Sequence, residues 1–334
     1  MTGQAIKTRS LGNTDIHITP IGLGVMQFAG GKGFFGTMFP HIPQAVKNEI
    51  IQTALDGGIN WFDTAEIYGG GRSERALSET LKAAGMKDDE VVVATKWNPF
   101  FRTAGNIPRT IDKRLRNLSG YSIDLYQIHQ PYSFSSPESE MDAMADLVEA
   151  GKIAAVGVSN FDADRMRRAH VALEKRGLKL ASNQVRYNLV DRRIETNGIL
   201  DTAKELGITI ICWGPLASGL LTGKFHQDPG LLKHTPPARK LSLRRGLEES
   251  RELISALTEI AAKHSATPAQ VALNWLVNFQ GETVVAIPGA SKPRHAKEAA
   301  GAMQLTLSED EMDRLDTLSQ RYRMSKNAPP FFVV

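Results

Sequence analysis

The feature that most constrains this chain is a rhythm: brief apolar, β-rich runs alternate with longer segments of helical period, and the alternation recurs eight times. The strands it predicts are Ile21–Gln27, Asn60–Asp63, Val91–Lys96, Leu125–His129, Ala154–Ser159, Ala181–Gln184, Ile208–Trp213 and Thr283–Ile287. Several are continuously apolar, as parallel strands covered on both faces should be. Helical patterns run over Pro43–Asp56, closed by Gly57-Gly58, from Ser73 onward, and over Ile107–Leu118, Glu138–Glu149, Asp162–Arg176 and Ile194–Leu206. Short parallel strands joined by helices leave two α/β architectures, an open doubly wound sheet or a closed (β/α)8 TIM barrel, and eight units favour the barrel. A turn centred on Asn13 predicts an N-terminal β-hairpin closing one end, and further helices are expected toward the C-terminus.

The chain has 334 residues, which fits a single barrel domain over 1–334. Its 42% hydrophobic and 23% charged composition supplies a large core without the signature of disorder. Forty Lys and Arg against 36 Asp and Glu leave a formal charge of +4. That mild excess suits a phosphorylated ligand but is too diffuse for nucleic acid. The one cysteine, Cys212, excludes an intrachain disulfide and a cysteine metal cluster, in keeping with a reducing cytosol. No stretch approaches the ~18 apolar residues of a membrane span, and the first residues lack an apolar signal core. A cytoplasmic, membrane-free monomer is therefore expected.

Two irregular stretches follow strands: Ala29–Phe39, rich in glycine and phenylalanine, and Ala217–Arg245, basic and proline-containing. In a barrel both belong to the C-terminal face, where loops build active sites, so they are expected to cover substrate and cofactor. Ionisable residues end the strands on that same face: Asp63, Lys96 and His129, with Tyr68 five residues beyond Asp63. A charge at the end of a buried strand is costly unless paired, so Asp63 and Lys96 are expected to satisfy each other. An ammonium beside a phenol depresses its pKa, which would make Tyr68 a proton donor to a developing alkoxide. His129 could hydrogen-bond and orient a carbonyl oxygen. Singly these residues also read as a buried ion pair, a packed rim aromatic and a core histidine. At successive strand ends they point to one site.

The segment Gly-Ile-Asn-Trp-Phe-Asp63-Thr-Ala-Glu-Ile-Tyr68-Gly, with Ser73-Glu74-Arg75 after it, resembles the signature of the aldo-keto reductase superfamily. So do Ala-Thr-Lys96-Trp, Asp-Leu-Tyr-Gln-Ile-His129, Gly-Lys-Ile-Ala-Ala-Val-Gly-Val-Ser159-Asn160-Phe, Gln184-Val-Arg-Tyr-Asn and Gly214-Pro215-Leu216-Ala-Ser218-Gly219-Leu-Leu-Thr222-Gly-Lys224. The likeness covers nearly the whole chain. It implies an NADP(H)-dependent oxidoreductase that reduces aldehydes or ketones, with Asp63, Tyr68, Lys96 and His129 as catalytic tetrad, Tyr68 as general acid and no metal. It further implies that Ser159, Asn160 and Gln184 bind the nicotinamide carboxamide, that the ring stacks on Trp213, and that Met26, Asp63 and Gly214 also border the cofactor.

No Gly-x-Gly-x-x-Gly run follows an early strand, so the cofactor phosphates must be held otherwise than in a Rossmann fold. Pro215, Leu216, Ser218, Gly219, Thr222 and Lys224 offer backbone amides, small residues and a lysine, the ingredients of an anion cradle. Gly289, Ser291, Lys292, Arg294 and His295 lead into a helix N-terminus. By the resemblance this segment meets the adenosine 2′-phosphate and Glu298 meets adenine, while Ala299 stands where many relatives have Asn. Lys292 and Arg294 favour NADP(H) over NAD(H). Trp97, Phe100, Phe101, Tyr132 and Phe134, with Phe34, Phe35 and Phe39 above them, are expected to line an apolar substrate pocket.

Two other readings compete. Potassium-channel regulatory subunits resemble this chain around Trp213-Gly-Pro-Leu and bind NADP(H) with little catalysis, but carry Asn where this chain has His129. A barrel aldolase would use Lys96 as a Schiff base, yet an adjacent Asp63 would keep the amine charged.

Overall fold

Side chains that alternate along a barrel strand face either the barrel axis or the surrounding helices. The computed structural model, which describes residues 6–31, 40–235 and 237–323, shows that alternation over eight parallel strands. These are β3 (Leu23–Gly24), β4 (Trp61–Asp63), β5 (Val92–Trp97), β6 (Leu125–Ile128), β7 (Ala155–Ser159), β8 (Leu180–Arg186), β9 (Thr209–Trp213) and β10 (Val284–Ala286). Single bridges from Ile21 to Ala286 and from Gly24 to Gly289 close the ring between its first and last strands. The expected hairpin is present as β1 (Arg9–Ser10) paired antiparallel with β2 (His17–Ile18).

Inside the barrel the lower layer is apolar: Trp61, Ala94, Leu125, Ala155, Ala181, Ile211 and Val285 pack with Leu11 and Ile18 of the hairpin. Gly12 lets the hairpin come this close, because at φ +56 a Cβ would lie 2.4 Å from the Ala181 carbonyl oxygen. Two residues further along the same strands, the layer above holds Asp63, Lys96, Gln127, Gly157 and Trp213. Gly157 makes room there, since a Cβ would strike Ser182 Oγ at 2.4 Å and Gln127 Cγ at 2.9 Å.

Outward-facing residues of the strands, such as Phe62, Val93, Tyr126, Val158 and Cys212, form the main core with the helices. Those helices are α1 (Gln44–Asp56), α2 (Arg72–Ala83), α3 (Asn106–Asn117), α4 (Pro137–Glu149), α5 (Ala163–Glu174) and α6 (Ile199–Leu206), followed by α7 (Lys224–Gln227), α8 (Pro237–Glu249), α9 (Arg251–Lys263), α10 (Pro268–Phe279), α11 (Pro293–Ala302) and α12 (Glu309–Ser319). Local chemistry sets several starts: Ser136 and Asp162 accept the amides of Ser139 and Arg165, and Thr267 with Gln270 and Ser308 with Glu311 form reciprocal caps. Among the described residues no helix is long and apolar enough to cross a membrane.

Three expectations change. Ile194–Leu206 is broken into a 3-10 turn at Arg193–Glu195 and helix α6, because Gly198 between them sits at φ +85. Ala217–Arg245 holds short turns at Ala217–Thr222, where Ala217, Ser218 and Gly219 are left-handed, at Lys224–Gln227 and at Pro229–His234, before α8 begins, pieces too short to leave a period in the sequence. The helix expected from Ser73 onward starts at Arg72 instead, and the Ser73 hydroxyl donates to the Val25 carbonyl at 2.7 Å and accepts from Thr64. Phe34, Phe35 and Phe39 lie outside the described residues.

Candidate active site

Strand parity brings the expected charges together. Lys96, with no exposed surface, donates from Nζ to Asp63 Oδ1 and to the Thr64 carbonyl at 2.9 Å. The other Asp63 oxygen accepts from Gln184 Nε2 at 2.9 Å and Gln127 Nε2 at 3.3 Å. Asp63 therefore has partners on both oxygens, the condition under which a buried carboxylate is tolerated. Burial pulls the Lys96 ammonium below its usual range while Asp63 pushes back. Gln127 was not foreseen. Its signal was available, because in Leu125-Tyr-Gln127-Ile-His129 it shares the parity of the flagged His129.

Tyr68 and His129 meet at the mouth with ring centroids 5.6 Å apart, edge to face. The Lys96 ammonium lies 5.4 Å from the centre of the Tyr68 ring. The expected depression of the phenol is reversed: burial, reinforced by the Asp63 charge, pushes Tyr68 above the usual tyrosine range. Lys96 spends its charge on Asp63, so the phenol keeps its proton. His129 goes the other way, held well below its ordinary value of 6.5 by burial and the Lys96 charge, and is neutral near pH 7. A neutral imidazole and a protonated phenol side by side are two hydrogen-bond donors facing one opening.

The next strands extend the polar lining. Ser159 donates to the Gln184 carbonyl at 2.8 Å, Asn160 donates to Ser159 Oγ at 3.0 Å, and Trp213 Nε1 donates to Asn160 Oδ1 at 3.1 Å. Asn160 adopts φ +60, a left-handed conformation that asparagine tolerates. Gly214, at φ +62, has open space where a Cβ would stand. Beyond Pro215 and Leu216, three consecutive residues, Ala217, Ser218 and Gly219, take φ values of 48°, 57° and 89°, and the Thr222 hydroxyl closes the turn on the Gly219 carbonyl. Met26 opens a 3-10 turn directly after β3, and Gly289 packs against Gln27. Ser291 donates its amide to His295 Nδ1. Burial, then Arg294, Lys224 and Lys292, lower the His295 pKa; burial raises that of Glu298, with the Arg294 and Lys224 charges opposing. The segments after β9 and β10 thus set three cations and one carboxylate within one electrostatic neighbourhood.

The expected substrate aromatics divide. Trp97 is wholly buried on the helix side of its strand and donates from Nε1 to Asn106 Oδ1 at 3.0 Å, so it does not line the opening. With Lys96 facing inward, its neighbour has to face outward. Phe100 and Tyr132 are exposed and 5.9 Å apart, and Phe101 and Phe134 form a second exposed pair at 6.3 Å. Also unforeseen are a buried ion-pair network behind Tyr68, joining Glu66, Glu74 and Arg114, and Arg186, whose guanidinium lies 5.8 Å from the Trp213 ring centre and faces Asp191 at 3.1 Å.

This barrel, with charged and polar side chains converging where its strands end, is that of a known enzyme family. A sequence profile of the Aldo/keto reductase family matches residues 20–320, and the chain belongs to that family. Its members are nicotinamide-dependent oxidoreductases. An uncharacterized oxidoreductase of Mycobacterium tuberculosis is 36% identical over 310 residues, covering 92% of this chain and 91% of the relative. The chloroplastic pyridoxal reductase of Arabidopsis thaliana is 33% identical over 90% of this chain and 83% of its own length. The crystal structure of a thermostable aldo-keto reductase, Tm1743, in complex with the inhibitor epalrestat superposes with a TM-score of 0.73 at 30% identity, covering 93% of this chain and 99% of that one.

Proposed function

We propose that the chain is an NADP(H)-dependent carbonyl reductase whose reacting groups are Asp63, Tyr68, Lys96 and His129. The observation that carries this reading is the edge-to-face pairing of the Tyr68 phenol with the His129 imidazole, ring centroids 5.6 Å apart, beside a buried Lys96–Asp63 pair. The nicotinamide, when bound, supplies a hydride to the carbonyl carbon. His129 donates an N–H to the carbonyl oxygen and fixes its orientation. As negative charge develops on that oxygen, Tyr68 gives it the phenolic proton, and the Lys96 ammonium stabilises the phenolate left behind. Asp63 keeps Lys96 protonated, and the phenolate recovers a proton from water.

The lining suits such a cofactor. Asn160 and Ser159 present amide and hydroxyl groups for a carboxamide, and Gln184 can join them by exchanging its bond to Asp63. The Trp213 ring offers a flat apolar face for the nicotinamide. Lys224, Lys292 and Arg294 outnumber Glu298 and suit a phosphate monoester, which favours NADP(H) over NAD(H). Phe100 and Tyr132 suit an apolar carbonyl substrate.

A panel of aromatic, aliphatic and sugar aldehydes, ketones and pyridoxal, assayed with NADPH and NADH, tests the reading. NADPH-dependent turnover is expected, with quenching of Trp213 fluorescence on cofactor binding. No binding and no turnover would sink it.

A further inference from the structure

The loops after β4 and β5 and helix α3 converge on a carboxylate that the chemistry above leaves unused. Glu66 lies two residues before Tyr68, and its amide donates to the Lys96 carbonyl at 3.1 Å. Its side chain, only 11% exposed, accepts the Asn98 amide on Oε2 at 3.1 Å. On Oε1 it meets Arg102 Nη1 at 2.8 Å and Arg114 Nη1 at 3.2 Å. Arg114 also faces Glu74 at 3.3 Å, and Glu74 takes hydrogen bonds from Thr95 and Asn117. Two carboxylates are thus matched by two guanidiniums. Arg114 and Glu74 are fully buried and belong to the packing between helices and barrel.

Arg102 differs. Its side chain is 29% exposed, and it follows Phe100 and Phe101 directly. Its carbonyl accepts the Phe134 amide at 2.9 Å, and Ser135 Oγ accepts the Ala104 amide at 2.9 Å. The loop bearing Phe100 and the loop bearing Tyr132 are therefore one interlocked wall, and Arg102 ties that wall to the segment carrying Tyr68. We propose that Arg102, through its ion pair with Glu66, is a positioning residue that couples the aromatic wall to the placement of the Tyr68 hydroxyl. The inference rests on Tyr68 as proton donor. Without Arg102, Glu66 and Glu74 share one guanidinium, and like charges that close repel. Glu66 then relaxes toward solvent and draws the Tyr68 segment with it. A misplacement on the order of 1 Å can cost about 100-fold in rate.

The test compares Arg102→Gln, Glu66→Gln, their combination and Arg102→Lys, with NADPH and both a small aliphatic and a bulky aromatic aldehyde. Arg167→Gln, which removes an exposed ion pair with Glu205 on α5 and α6, is the control. Expected for Arg102→Gln is a fall in kcat of about 10- to 100-fold on both substrates. The NADPH Kd should stay unchanged, the double variant should be no worse than the worse single one, and Arg102→Lys should recover part of the loss. A kcat on the small aldehyde equal to that of Arg167→Gln, with only the aromatic KM raised, would overturn the coupling. So would a matching loss of cofactor affinity, which marks general disruption. A fully active Tyr68→Phe enzyme is a separate result that removes the donor assignment itself.

Discussion

Two layers of the same barrel interior differ by two residues along each strand. Below are Trp61, Ala94, Leu125 and Ile211, packed against the hairpin; above are Asp63, Lys96, Gln127 and Trp213. The backbone is shared, as is the register that pairs Asp63 with Ala94 and Lys96 with Gln127. Side-chain choice alone separates a plug from a site. The lower layer gains from burial and carries one side-chain polar atom, Trp61 Nε1, which donates to the Thr19 carbonyl at 2.9 Å, whereas the upper layer is mostly polar and needs a partner for each such atom.

The sharpest test of this division is Tyr68→Phe, which changes one oxygen at the mouth. Carbonyl reduction should fall by about 10²- to 10⁴-fold with NADPH affinity retained, as general-acid contributions usually do; single-turnover rates check it. Lys96→Met should damage both function and fold, because it leaves Asp63 buried without its cation. Breaking one side of such a pair costs about 3–5 kcal/mol, readable from urea unfolding, and the Asp63→Asn, Lys96→Met double variant should regain part of it. Trp61→Ala, in the layer below, should lose a similar 3–5 kcal/mol by opening a cavity, yet keep its kcat below the melting temperature. Turnover lost in a folded Trp61→Ala protein would break the comparison.

Smaller effects follow at the edges of the upper layer. Replacing Lys292 and Arg294 with glutamine should weaken NADPH by about tenfold or more and leave NADH nearly unchanged, since charged hydrogen bonds contribute about 1.5–3 kcal/mol each. His129 gives the mildest test, through pH. Its folded pKa lies below the ordinary 6.5, so above pH 6.5 it is neutral folded or unfolded and imposes no cost. Below that, the unfolded chain binds a proton that the folded one refuses, and stability falls as pH falls. His129→Gln should flatten this acid limb in thermal melts between pH 7 and 5.

Much of this was legible in the residues. Eight short apolar runs separated by helical periods predicted the barrel, because covering both faces of a parallel strand leaves little else to write. The strand-end charges were legible for a related reason, since Asp63 and Lys96 interrupt otherwise apolar runs. Parity was the overlooked signal. It would have sent Trp97 outward to Asn106 and brought Gln127 inward to Asp63. The Tyr68 shift could not be read, because it depends on which neighbour receives the Lys96 charge, a matter of three-dimensional distance. The Glu66–Arg114–Glu74 network was equally hidden, its members spread over three segments that adjoin only after folding.

The closure between β3 and β10 has a mechanical consequence. Where β7 and β8 share four paired residues and β8 and β9 five, this seam is held by amides of Gly22, Gly24 and Ala286 on the carbonyls of Ala286, Pro288 and Pro20. A cylinder opens more readily along a lightly stitched line, and these amides should exchange with deuterated water sooner than those of β7 or β8. Met26 lies on one lip of the seam, and Gly289 through Glu298 lead away from the other. A ligand spanning both lips would act as a clasp, and slower exchange along this one line would register its arrival.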